Sequence, residues 1–304
     1  MTAPVRSPSA PPARSAGPEA LATFARVQLP RIEEALARSL PECAGLPAPL
    51  SQALRAAVGV GGVPGSRWRP LLTLATSRAL GGDLERALPA AIAIEFTHTA
   101  SLVLDDLPCM DDAPERRGRA STHACVGRGG AILLGVSLLA RSAELLGRIP
   151  DEGGVLSAEW GAAFGLAGMA GGQAVDLTGA ASRGGAARRL HRKKTTALSA
   201  LAVRAGARTA HASPGVLEDL TAFGRDLGWA YQLADDAADL DEDGALGRDP
   251  GGRAPRRQSR RLLHRALDRL DRVEGLDGDG RRLLAELACR TAGFPSGEED
   301  RRWA

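Results

Sequence analysis

Lysine is almost missing from this chain. Of its 39 basic side chains only Lys193 and Lys194 are lysine, and the rest are arginine. Aromatic residues are scarce at 3%, which leaves no platform for base stacking. The formal net charge is only +3, and no basic stripe carries interleaved aromatics, so nucleic acid is not an expected partner. Four cysteines (Cys43, Cys109, Cys125, Cys289) lie far apart with no CxxC pair or Cys/His cluster. Reduced thiols and a cytoplasmic setting are expected from that usage. The N-terminal residues hold no apolar stretch of the secretory kind. Alternating apolar and polar runs of the strand type are nearly absent, which argues against a sheet protein.

What remains is rich in Ala, Leu and Arg, with apolar positions recurring at three and four. The pattern predicts an all-α chain with helices over about 19–38, 48–58, 67–80, 85–106, 129–147, 156–177, 185–207, 215–243, 256–274 and 278–291. Residues 1–18 are rich in Pro, Ala and Ser and read as a disordered arm. Residues 19–292 read as one domain and 293–304 as a tail. The apolar stretch from Ala87 to Leu104 is interrupted by Glu95 and His98, so a buried core helix is expected rather than a membrane span.

Two acidic clusters break this apolar background. The first, "SLVLDDLPCMDDAPERRG", places Asp105, Asp106, Asp111 and Asp112 behind an apolar helix and follows them with Arg116 and Arg117. His98 and Asp105 are seven residues apart and share a helix face. Pro108 requires the helix to kink or end near Asp105–Leu107. By helical spacing Asp112 would return to the Asp105 face, a rule that Pro108 makes unreliable. Two such carboxylates ~6 Å apart at an effective dielectric of about 20 repel by roughly 3 kcal/mol. An isolated pair of this kind is most often a solvated helix end.

The second cluster, "YQLADDAADLDED", sets Gln232, Asp235, Asp236 and Asp239 at i, i+3, i+4 and i+7, one side of an otherwise apolar helix. Two such stripes fit opposite walls of a cation-lined cavity better than two solvated faces. Oxygen ligands suit Mg2+, which binds through one or two carboxylates together with substrate phosphates. Arginines beside them suit the remaining phosphate charge. The pattern therefore points to a diphosphate held between two carboxylate walls.

With these motifs the chain resembles the trans-prenyltransferases, the polyprenyl diphosphate synthase family. "DDLPCMDD" and "YQLADDAAD" are similar to its two aspartate-rich motifs. "GSRWRP" at 65–70, "HTASL" at 98–102, "RRGRASTH" at 116–123, "GGQAVDL" at 171–177 and "KKTTAL" at 193–198 follow its other signatures in order, over about residues 60–250. The resemblance implies a single-domain helical bundle around a deep central cavity, usually dimeric. It implies that Asp105, Asp106, Asp111 and Asp112 hold magnesium on the allylic diphosphate, and Asp235 and Asp239 the other ion, with Asp236 beside them in the catalytic group. It implies that Arg116, Lys194, Thr195 and Gln232 meet the allylic diphosphate or line its exit. Arg69, His98 and Arg117 would bind isopentenyl diphosphate. Gly171, Gly172 and Gln173 either allow close helix packing or sit beside the allylic chain.

The chain departs from the family pattern at Ser66, where lysine is usual and where Arg67 would substitute. It departs again at Arg253 and near Arg257, in the loop 247–259. Ala100 and Ser101, small residues one turn before Asp105, stand where the family sets its cavity floor. With the likeness to carotenoid-pathway synthases they point to a C20 product, geranylgeranyl diphosphate, with farnesyl diphosphate as the alternative. A class I terpene cyclase shares the acidic motif but needs no second diphosphate site, against "RRG" and "SRWRP". A catalytically weak partner subunit is favoured only by Ser66 and the altered loop.

Overall fold

The computed structural model describes residues 20–42, 44–62, 65–179, 185–245 and 253–294. The expected arm 1–18, Cys43, most of the loop 247–259 and the tail beyond Phe294 lie outside the described residues. The described chain runs α1 (Ala20–Ser39), α2 (Ala48–Val58), α3 (Trp68–Ala79), α4 (Leu84–Asp105), β1 (Glu115–Arg116), β2 (Arg119–Ala120) and α5 (Thr122–Gly147). It continues as α6 (Gly153–Phe164), α7 (Met169–Leu177), α8 (Gly185–Thr209), α9 (Pro214–Ala245), α10 (Arg253–Leu270) and α11 (Gly278–Thr291).

The bundle has two apolar clusters that share α3 and α4. Leu72 and Ala75 of α3 and Ala90, Ala93 and Ile94 of α4 face one cluster, built with α8, α9, α10 and α11. Leu71 and Leu74 of α3 and Ala87, Ala91, Ile92 and Phe96 of α4 face the other, built with α1, α2 and α5. Both helices are therefore apolar nearly all round, the signature of a core position. The expected core helix is α4, which is capped at its start by Asp83, whose carboxylate accepts from the Glu85 amide.

Three elements differ most from the sequence reading, and α10 starts three residues earlier and ends four residues earlier than expected. The helix expected over 156–177 is two helices, because Gly165 and Gly168 turn the chain sharply between α6 and α7. A β-carbon on Gly168 would stand 1.9 Å from the Ala163 carbonyl. α5 begins seven residues earlier than expected, with a first turn set off at Gly127, whose backbone is not helical. A small antiparallel hairpin, β1–β2, appears where no strand was expected. Its two-residue turn puts Arg117 (φ 53) and Gly118 (φ 70) in the left-handed region, as a type I′ turn needs.

Candidate active site

α4 ends at Asp105, three residues before Pro108, as the proline requires. The chain then folds back on itself. The Asp111 amide donates to the Asp105 carbonyl at 2.9 Å and the Ala113 amide to the Asp106 carbonyl at 3.2 Å. Asp111, not Asp112, is thus returned to Asp105, because the segment after Pro108 is a turn and helical spacing no longer holds. The hairpin that follows brings Arg116 onto Asp106: its Nε donates to both carboxylate oxygens at 2.8 and 2.9 Å, and Nη2 adds a bond at 2.5 Å.

A cavity of about 260 Å³ opens where α3, α4, α7, α8, α9 and the hairpin meet. Arg69, His98, Ser101, Asp105, Arg116, Arg117, Lys194, Thr195, Gln232 and Asp235 all line it. These ten come from six of the motifs singled out in the sequence. Leu102, Met169, Leu198 and Tyr231 complete the lining with apolar and aromatic surface. None of these four carries a charge, so the acidic and basic patterns passed over them.

Other sequence candidates lie elsewhere. Asp106 is buried, with both oxygens taken by Arg116, so it differs from the expected metal ligand: it anchors the hairpin. Asp236 accepts from Gln232 Nε2 at 2.7 Å. Asp112 is exposed at φ 49. Asp239 lies on α9 one turn past Asp235, and its side chain is outside the described set. Ser66 and Arg257 are exposed, and the Arg253 side chain is outside the described set. Ala100 does not reach the cavity, because its methyl is fully buried in the cluster with Phe96, Leu134 and Leu138. Ser101, its neighbour, does line the cavity.

Arg67 is the clearest correction. Its side chain is 2% exposed and all its nitrogens are spent inside the fold. Nε and Nη2 donate to Glu33 at 2.7 and 3.1 Å, Nη1 to Glu95 at 2.7 Å, and Nη2 also to the Val58 carbonyl at 2.7 Å. It does not stand in for the lysine missing at Ser66. It also takes Glu95, which stands three residues before His98 on α4.

Arg69, two residues on, is left for the cavity. Its guanidinium carbon sits 4.5 Å from the centre of the Trp68 ring, and its buried Nε has no hydrogen-bond partner. Burial lowers its pKa against the pull of Glu95, Tyr231 and Asp235. His98 is held well below the usual imidazole value, first by burial and then by Arg69, Arg117, Arg116 and Arg67. The charged groups that act most on His98 are thus all cations. Across the cavity Asp105 is pushed up to about 6, first by burial and also by Asp111 and Asp106, against the pull of Lys194 and Arg116.

The scarce lysines both have tasks. Lys193 Nζ donates to the Ala167 carbonyl in the α6–α7 turn at 2.9 Å, and Lys194 Nζ pairs with Asp176 of α7 at 2.7 Å. Asp176 stands in "GGQAVDL", and its place in that motif is its one sequence signal. Gly172 of the same motif is a packing glycine: a β-carbon there would stand 2.6 Å from the Lys194 backbone nitrogen. On the α8–α9 side, Thr195 Oγ1 donates to Gln232 Oε1 at 2.8 Å.

A family model described as Polyprenyl synthetase matches residues 49–251. The chain belongs to the polyprenyl synthetase family. Its helical bundle is the isoprenoid synthase fold of this family of prenyltransferases. Among relatives of this polyprenyl synthetase, a farnesyl diphosphate synthase of Geobacillus stearothermophilus is 37% identical over 226 residues, 72% of this chain and 75% of that protein. A geranylgeranyl diphosphate synthase of Pseudescherichia vulneris is 40% identical over 184 residues, 58% of this chain and 60% of that protein. The matched part is therefore 60–75% of these relatives' own lengths. The apo crystal structure of an FPP/GFPP synthase from Zymomonas mobilis superposes with a TM-score of 0.73 at 32% identity, covering 88% of this chain and 97% of that one.

The implied magnesium fits the donor set at the cavity mouth. Among the described residues no three His, Cys, Asp or Glu side chains cluster as a cage. Asp105 and Asp235 instead stand on different helices around one cavity. Magnesium bound by few carboxylates and completed by phosphate and water needs only that. The raised pKa of Asp105 marks a place where a cation would relieve both burial and repulsion.

Proposed function

We propose that this chain is a magnesium-dependent prenyltransferase that joins isopentenyl diphosphate to an allylic diphosphate, with geranylgeranyl diphosphate as its main product. The observation that carries the reading is the single cavity holding Asp105 and Asp235 together with Arg69, His98, Arg116, Arg117 and Lys194. Two diphosphates bring several negative charges, and this ring of cations with two carboxylates is complementary to diphosphate plus metal.

Asp105, Asp111 and Asp235, with Asp239, would hold magnesium, which supplies charge stabilisation to a departing diphosphate. Arg116 and Lys194 would hold the allylic diphosphate from the sides of the hairpin and α8. Arg69, Arg117 and His98 would hold isopentenyl diphosphate, on the positive side of the cavity. Its double bond then attacks the allylic carbon as the diphosphate leaves, and the released diphosphate takes the proton that the adduct loses. Leu102, Met169 and Leu198 keep water from the cation.

The small Ser101 on the cavity wall, four residues before Asp105, supports a C20 product, since at that position α4 offers no bulky stop. A second copy of the chain is the proposed partner. Supporting it, Ile132, Leu133 and Val136 are exposed on α5, in a stretch from Ala131 to Ala140 without one charge. The test of function is an assay of the purified chain with magnesium, labelled isopentenyl diphosphate and each allylic primer, with products dephosphorylated and sized. C20 alcohol from the shorter primers is expected. C15 alone moves the assignment to farnesyl diphosphate, and no labelled alcohol from any primer overturns the reading. Ser101→Phe should shorten the product, and an unchanged spectrum would remove Ser101 from the wall that measures the chain.

A further inference from the structure

Leu166, at 77%, is the most exposed of the large apolar side chains among the described residues. It stands in the turn between α6 and α7, and that turn is closed by its own backbone. The Gly165 amide donates to the Gly161 carbonyl at 2.9 Å, and the Gly168 amide to the Gly165 carbonyl at 2.8 Å. Gly171 comes so near that a β-carbon there would stand 1.9 Å from the Leu166 carbonyl oxygen. A backbone fixed in this way holds the leucine outward. One apolar side chain in water needs no explanation, so its surroundings decide what it means.

Those surroundings are cationic. Lys193 Nζ donates to the carbonyl of Ala167 at 2.9 Å, which sets an ammonium group beside the leucine. Arg189 and Arg192, on the same first half of α8, are exposed as well. α7 lies along this half of α8, with Gly172 against Lys194, and ends in Leu177, which is 49% exposed. Negative charge is lacking on this side. The sequence holds no charged residue from Trp160 to Val175 and no acidic one from Leu177 to Leu217. The carboxylates that border these spans are already answered. Glu159 accepts from Arg204 and Arg208, and Asp176 pairs with Lys194 at 2.7 Å.

We infer that the α6–α7 turn, Leu177 and the first half of α8 form a surface that docks on an anionic lipid bilayer. Leu166 and Leu177 enter the boundary between headgroups and acyl chains. Arg189, Arg192 and Lys193 meet the lipid phosphates. A soluble polyanion would use the cations and leave the leucines in water, whereas a bilayer takes both. The contact lies on the membrane and spans nothing. Its place beside the cavity gives it a use. Met169, three residues past Leu166, and Lys194, next to Lys193, both line the cavity. On the prenyltransferase reading, a product with a long apolar tail is therefore released next to the phase that dissolves it. Docking itself does not depend on that reading.

The experiment floats the full chain, without substrate, on vesicles of phosphatidylcholine alone and of phosphatidylcholine mixed with phosphatidylglycerol. The wild type should float with the anionic vesicles and stay behind with the neutral ones. Raising the salt from about 0.1 M to about 1 M should release it, as screening shortens from about 10 Å to about 3 Å. The chain with Arg189→Gln, Arg192→Gln and Lys193→Gln should bind the anionic vesicles about a hundredfold more weakly, at about fivefold per charge. Leu166→Ser should cost about tenfold, for one apolar side chain kept out of the bilayer. It should leave the melting temperature and prenyl transfer from short primers unchanged. If loss of Lys193 loosens the turn, Arg189→Gln with Arg192→Gln should still weaken binding about twentyfold. A wild type that does not float, floats equally with neutral vesicles, or floats no better than Leu166→Ser overturns the inference. Retention by RNA without flotation overturns it too, and makes the face a site for a soluble polyanion. A chain that floats as expected but makes no prenyl product overturns the functional reading and leaves the docking surface standing.

Discussion

At the scale of single residues, one short segment assigns opposite tasks to two arginines. Arg67 precedes α3 at φ 53 and is closed into Glu33, Glu95 and Val58, while Arg69 lines the cavity. Arg67→Met would leave buried Glu95 unpaired, and we expect about 3 kcal/mol of lost stability in a denaturant titration. The Michaelis constant for isopentenyl diphosphate should move little in the fraction that folds. Arg117→Gln should do the reverse: an unchanged melting temperature, since Arg117 is exposed on the hairpin, and a raised constant for that substrate. If both variants act mainly on the same quantity, the division is wrong. His98 carries a pH signature. Its folded pKa lies below the ordinary imidazole value, so on acidification the unfolded chain takes up a proton near pH 6.5 while the folded chain does not. His98 therefore contributes a loss of stability as pH falls from 7 towards 5.5, while Asp105, raised to about 6, takes up its proton in the folded chain and contributes in the opposite sense. His98→Gln should remove the first contribution, so the variant's melting temperature should rise relative to the wild type's as pH falls through that window. Parallel profiles for the two proteins would show that the cations around His98 do not govern it.

At the scale of elements, the legible features were those with a period. α1, α2, α3, α4 and α11 fall within about two residues of the expected spans, because a buried stripe at 3.6 residues per turn leaves its mark. The β1–β2 hairpin left none: two-residue strands have no alternation, and only Arg117-Gly118 hinted at a turn. Asp111 could not be placed because Pro108 ends the regular spacing between it and Asp105. The packing of α7 on α8 was equally hidden, since a glycine states that space is tight without saying against what. Gly172 makes that contact testable. Gly172→Ala sets a methyl carbon 2.6 Å from the Lys194 nitrogen and 2.8 Å from its Cα, both backbone atoms that cannot rotate away. We expect a loss of about 1–3 kcal/mol and a fall in prenyl transfer, because Lys194 moves with its helix. Gly161→Ala in α6 meets nothing within 4 Å and should be neutral or stabilising by up to about 1 kcal/mol. Equal effects of the two on thermal unfolding would mean that α7 is not held close to α8 by this glycine.

At the scale of the molecule, both α4 and α5 are long and apolar enough to cross a bilayer by length and composition, yet their surroundings differ. In its most apolar window α4 is 67% buried and α5 only 33%. The apolar character of α4 is thus explained within one chain, and that of α5 is not. Leu133 is 63% exposed and Val136 53%, with Ile132 beside them, on a helix whose opposite side packs on α2 and α4. Isolated apolar side chains on a surface need no explanation, but a charge-free helix face of this kind is unfavourable in water unless something covers it. A second copy meets the need directly, since a two-fold axis sets the same face against itself and lets leucine meet leucine. Leu133→Glu places a charge at the centre of that face and, being exposed, should leave the helical content and the fold of one chain intact. Light scattering should give the wild type about twice the 31.5 kDa of a single chain and the variant that of one chain at the same concentration. Equal masses for the two proteins would exclude this face as the interface. Flotation of the wild type, but not the variant, with lipid vesicles would instead assign the face to a membrane surface.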